Sequence, residues 1–149
     1  MQPIRKELIL QVPQEMAFNV FTREIDLWWP KTHHIGSSPM KEAVLEPKPA
    51  GRWYSIHEDG SEANVGKVLA WDPFNRVVLA WQINGNFKYD PELISEVEVC
   101  FIPEGPKTTR VTLEHRDLDK LMGGEKVIQD MDKGWGYIMN LYKEVTYAA

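Results

Sequence analysis

Four histidines, one cysteine and six tryptophans are the first places to look for chemistry in this 149-residue chain. Strand alternation puts Trp53, Ser55 and His57 on one face and Val111, Leu113 and His115 on another, so both histidines fall on otherwise apolar faces. An imidazole titrates near neutrality and can act as a general acid or base. A histidine on an inward strand face is, however, more often a hydrogen-bonded core or rim residue. His33 and His34 are adjacent, and neighbouring side chains of an extended chain point apart. With no Cys or carboxylate at ligand spacing they make a poor metal site. Cys100 has no partner for an intramolecular disulfide, and within Val97–Ile102 it reads as a small core residue. There is no Gly-x-Ser-x-Gly elbow for a nucleophilic serine, and Gly123-Gly124 lacks the strand-to-helix setting of a phosphate loop. No metal or cofactor is called for.

The apolar residues around these histidines suggest a different chemistry. Val77, Leu79 and Trp81 share one strand face, Val97, Val99 and Phe101 share another, and Met131, Trp135, Ile138 and Met139 lie on one side of a helix. Large aromatics with a few isolated polar groups are the usual lining of a small-molecule pocket. The residues expected to border a hydrophobic ligand are therefore Trp53, His57, Trp81, Phe101, His115, Trp135, Ile138 and Met139. The competing expectation is that these side chains simply fill one another's space as core.

Positioning such a set takes a sheet and a helix. Ile4–Val12 reads as a first strand, and Pro13 opens a helix with Glu15 near its positive end. Thr22–Trp29 reads as a second short helix, capped by Thr22 and stopped by Pro30. After a loop over residues 31–40, strand signals fill Lys41–Pro47, Gly51–Glu58, Ser61–Trp71, Arg76–Ile83, Glu92–Pro103 and Lys107–Arg116. Turns such as Asp59-Gly60 and Asp72-Pro73 separate them and are too short for parallel crossovers, so the strands should form an antiparallel meander. Apolar residues then recur at spacings of three and four from Gly124 to Tyr147, predicting one long amphipathic helix. Helices and strands are segregated along the chain, which makes the class α+β.

Composition limits the partners. A formal net charge of −5, without a Lys/Arg cluster, argues against nucleic acid or an anionic membrane surface. The chain has no stretch of about 18 apolar residues to form an integral membrane span and no apolar signal segment at Met1–Glu7, which points to the cytoplasm. One domain over residues 1–149 accommodates everything, and self-association as a homodimer stays open.

In order and spacing, Pro49-Ala50-Gly51-Arg52-Trp53, Asp59-Gly60, Gly66-Lys67-Val68-Leu69, and Asp72-Pro73 followed by Arg76–Trp81 resemble the signature of one family. Thr109–His115 and Gly134-Trp135 continue it. It is the family similar to the activator of the ninety-kilodalton heat-shock protein ATPase, within the START and birch-pollen-allergen-like superfamily. Ala50 stands where a second glycine is usual. The resemblance implies a helix-grip fold, a curved sheet grasping the last helix with a cavity between them. Superfamily members include lipid carriers, receptors and polyketide cyclases. Because these members differ in chemistry, function is read from the site, as a module that holds a hydrophobic or aromatic small molecule, with two alternatives: a cyclase- or hydrolase-type enzyme using a cavity histidine, or, on the family resemblance alone, a chaperone-interacting module. Gly134, which costs about 1 kcal/mol against Ala inside a helix, suggests close packing or a kink beside Trp135.

Overall fold

The computed structural model describes residues 2–121 and 123–148. Seven strands form one antiparallel sheet: β1 (Ile4–Leu10), β2 (Met40–Leu45), β3 (Arg52–His57), β4 (Glu62–Asp72), β5 (Arg76–Trp81), β6 (Ser95–Gly105) and β7 (Thr108–Arg116). They lie in the order β1-β7-β6-β5-β4-β3-β2, so the predicted meander is extended by β1, which returns to pair with the last strand and places Ile4 opposite His115. Helix α1 (Gln14–Thr22) follows β1, and the 25-residue α2 (Gly124–Ala148) closes the chain.

The sheet curls because its ladders are interrupted. Register shifts occur at Met40/Glu42, Trp53/Tyr54 and Val68/Ala70, and each extra residue increases local twist and bend. Gly66 has a distinct task in this region. A Cβ there would collide with the backbone carbonyl of Ala80, so the β4–β5 approach requires glycine. Alternation is strict over the first seven residues of β6, with Val97, Val99 and Phe101 buried in the core and Glu98 and Cys100 on the opposite face. Cys100 is therefore not the core residue expected from its apolar neighbours. It is half-buried on the outer face, because a period of two places it opposite Phe101.

The expected second helix is also corrected. Thr22 belongs to α1, where its hydroxyl donates to the Phe18 carbonyl at 2.7 Å instead of capping a new helix. Only a 3₁₀ turn, Ile25–Leu27, follows, and Ile25, Trp28 and Trp29 are buried beneath it, with Trp28 Nε1 donating to the Val20 carbonyl.

The grip of α2 is aromatic. Phe21 and Trp28 pack on Tyr142 with ring centroids 5.1 and 5.3 Å apart, and Tyr142 donates its hydroxyl to the Ala17 carbonyl at 2.6 Å. Phe101 joins Phe18 and Phe21 in the same cluster. This end of the interior is filled. Among the described residues no helix is long and apolar enough to cross a membrane.

Candidate functional site

A second aromatic layer crosses the middle of the sheet. Trp29 packs on Trp53 and Trp135, and Trp81 packs on Trp53 and Trp135, with the four centroid separations between 5.6 and 6.0 Å. On one side of this layer lies the filled cluster under α1. On the other is a cleft of about 470 Å³. Trp29, Val65, Trp81, Trp135 and Ile138 contribute to its floor, and Val127, Met131 and Gly134 of α2 to one wall. Ile83, Gly85 and Phe87, from the segment between β5 and β6, and residues 32–35 complete it. Lys126 and Asp130 reach its rim, where both are exposed.

Of the eight residues expected around a ligand, Trp81, Trp135 and Ile138 line this cleft. Trp53 is one layer behind them, Phe101 is in the filled cluster, and Met139 is buried on α2. His57 and His115 are both buried and off the cleft wall, each with its two ring nitrogens engaged.

His115 accepts a hydrogen bond at Nδ1 from Trp135 Nε1, at 3.1 Å. The indole is only a donor, so Nδ1 carries no proton and the neutral ring bears it on Nε2. That N–H donates to Ser95 Oγ at 2.9 Å, and Ser95 donates onward to the Trp81 carbonyl at 3.0 Å. The chain links α2, β7, β6 and β5 through one closed polar path. Burial pushes the His115 pKa down to about 3, so it stays neutral. A ring with both nitrogens engaged and no exposed edge has no proton to exchange with a substrate.

His57 is organised differently. Its Nδ1–H donates to the Ser38 carbonyl at 2.7 Å, leaving Nε2 to accept from the Ser55 hydroxyl at 2.8 Å. Serine, imidazole and orienting carbonyl are the parts of a nucleophile–base pair. Here they are sealed: Ser55 is 4% and His57 1% exposed, and Gly36 lies so close to the ring that a Cβ there would overlap it. His34 closes another side, edge-on at 4.8 Å.

The cleft itself uses residues that sequence reasoning placed in a loop. His33 stacks on Tyr137 at 5.8 Å, and Trp29 Nε1 donates to the His33 carbonyl, which pins the loop to the floor. His34 accepts at Nδ1 from the Gly36 N–H at 3.1 Å. Burial and the neighbouring His57 ring both lower its pKa. The spacing of His33 and His34 in the sequence suggests at most a weak metal site and carries no signal of a place on a cleft wall. No group of three metal-ligating side chains occurs among the described residues.

Residues 11–145 match the family described as activator of Hsp90 ATPase homolog 1-like protein. The chain belongs to this family. Two similar solved structures lie at 31% identity: an anthrahydroquino-γ-pyrone synthase, with 97% of each chain covered and a TM-score of 0.69, and the self-sacrificing resistance protein CalC from Micromonospora echinospora, with 97% and 94% covered and a TM-score of 0.73. An HSP90 activator from Plasmodium falciparum is 22% identical over 91% of this chain and 88% of its own, with a TM-score of 0.60, and shows the shared fold. A comparison with curated protein sequences gave no match.

Within this Hsp90-activator-homologue family frame, Gly134 stands out. The close packing expected there is absent: a Cβ on Gly134 would meet nothing within 4 Å, and the residue lies within the continuous helix α2. Glycine here weakens the helix without gaining a contact. The space its missing side chain leaves belongs to the cleft.

Proposed function

We propose that this domain holds a flat hydrophobic or aromatic small molecule in the cleft between α2 and the Trp29–Trp81–Trp135 floor. The observation that carries the reading is Gly134. A helix-interior glycine costs about 1 kcal/mol against alanine, and the one thing it provides at this position is room in the cleft. The volume, about 470 Å³, is within the usual range for ligand pockets. The indole faces suit a planar aromatic partner. The two relatives at 31% identity are named for a synthase of an aromatic pyrone and for a resistance protein, which favours small-molecule work over chaperone activation.

A catalytic version of this reading has a specific support in the synthase relative. It would draw its acid or base from His33 or His34 on the cleft wall, since His57 and His115 have no free nitrogen.

The test is titration with anthraquinone-2-sulfonate, followed by quenching of tryptophan fluorescence. Saturable one-to-one binding is expected, together with a raised melting temperature because the probe binds the folded state. Gly134→Leu should fill the cleft and abolish binding while leaving the protein folded. Absence of saturable binding to the parent protein, or undiminished binding to the folded Gly134→Leu variant, overturns the proposal.

A further inference from the structure

The wall of the cleft contains one imidazole whose protonation is dictated by the backbone. His34 is half-buried on that wall, and its Nδ1 accepts the Gly36 N–H at 3.1 Å. A nitrogen that accepts a hydrogen bond carries no proton, so the neutral ring must hold its proton on Nε2. None of the described residues takes a hydrogen bond from that Nε2–H. The ring is also held in place, edge-on to His57 at 4.8 Å, and His57 is itself locked between Ser55 and Ser38. His33 offers no such definition: it is exposed, stacked on Tyr137, and its Nδ1 meets the Thr32 hydroxyl, which can donate or accept.

From this arrangement we infer that His34 Nε2–H is a preset hydrogen-bond donor to the ligand, and that the cleft selects aromatic molecules bearing a ring carbonyl over counterparts of the same shape that lack it. The inference rests on the proposed ligand-binding role of the cleft and adds the polar half of its specificity. The surroundings are consistent with a neutral donor. Burial and the adjacent His57 both disfavour the charged ring and outweigh the Gly36 backbone contact, which raises its pKa, so the neutral form is favoured. A site built to hydrogen-bond an oxygen discriminates against the analogue lacking it, because the donor is then buried unpaired.

The experiment uses two probes matched in size and charge, anthraquinone-2-sulfonate and anthracene-2-sulfonate, titrated against the parent protein and against His34→Phe and His34→Gln. The parent should prefer the quinone, and His34→Phe should weaken quinone binding about five- to tenfold while leaving anthracene binding unchanged, as expected for loss of one neutral hydrogen bond. His34→Gln, which keeps an N–H donor, should restore part of the preference and shows whether loss of the ring alone disturbs the fold. Binding of both probes with no preference in the parent, or an equal loss of both in folded His34→Phe, overturns the donor role and leaves the cleft proposal standing. Failure of the quinone probe to bind the parent overturns both.

Discussion

Trp135 Nε1 sits 3.1 Å from His115 Nδ1, and this hydrogen bond ties the gripped helix to the strand that β1 closes. Because the indole can only donate, the bond holds His115 in its neutral form.

A pH dependence follows. Burial lowers the His115 pKa to about 3 in the folded protein, against an ordinary value near 6.5 in the unfolded chain. Between those values the unfolded chain binds a proton that the folded one does not. Stability is therefore fully present above about pH 6.5 and is lost as the pH falls toward 3, by up to about 1.4 kcal/mol per pH unit. His33 and His34, also lowered by burial, add in the same direction. Urea midpoints at pH 7 and pH 5 should differ clearly for the parent and less for His115→Gln. A parent midpoint that does not move would contradict this.

Trp135→Ala should cost about 3–5 kcal/mol, because the ring packs on Trp29, Trp81 and His115. Trp135→Phe separates packing from hydrogen bonding. It keeps most of the apolar volume but leaves His115 Nδ1 buried without a donor, for which about 1–3 kcal/mol is expected. Chemical denaturation of the two variants measures both terms, and a Trp135→Phe protein as stable as the parent would remove the hydrogen bond from the account.

Gly134→Ala and Gly66→Ala should move stability in opposite directions. At Gly134 the added methyl meets open space and improves the helix, stabilising the protein by about 1 kcal/mol. At Gly66 it overlaps the Ala80 carbonyl and must push β4 from β5, so a loss at or above the upper end of about 1–3 kcal/mol is expected. Melting temperatures of the pair are a direct comparison, and a shift of the same sign in both would refute the assignment of open and closed space.

Cys100 should react slowly with thiol reagents in the native state. Burial raises its pKa, and the nearby Glu98 carboxylate adds to the effect, so little thiolate is present at neutral pH. Labelling at pH 7 should accelerate sharply on addition of denaturant, and rapid labelling of the folded protein would show an environment other than this one.

The strands and the final helix were legible in the sequence because their signals are local. Alternation over Val97–Phe101 and Thr109–His115 needs only a period of two, and the spacing from Val127 to Val145 needs only 3.6 residues per turn. Local signals also specified that Trp53, Trp81 and Trp135 face inward. They could not specify depth. Whether an inward side chain meets a neighbour or an opening depends on pairings between distant segments: β1 against β7, the 3₁₀ turn carrying Trp29 under α2, and the loop of His33 and His34 pinned by the Trp29 indole. Those pairings filled the interior around His57, Phe101 and His115, and moved the cleft to the N-terminal half of α2, around Val127, Met131 and Gly134. Thr22 shows the same division on a small scale, since a hydroxyl that can cap a helix from outside can equally bond back to Phe18 within one. Composition and periodicity thus determined an α+β chain of antiparallel strands ending in one long amphipathic helix, and the family resemblance implied the grip, while the tertiary contacts alone decided where the packing stops, because empty space is a property of how several segments fit together and is written in none of them singly.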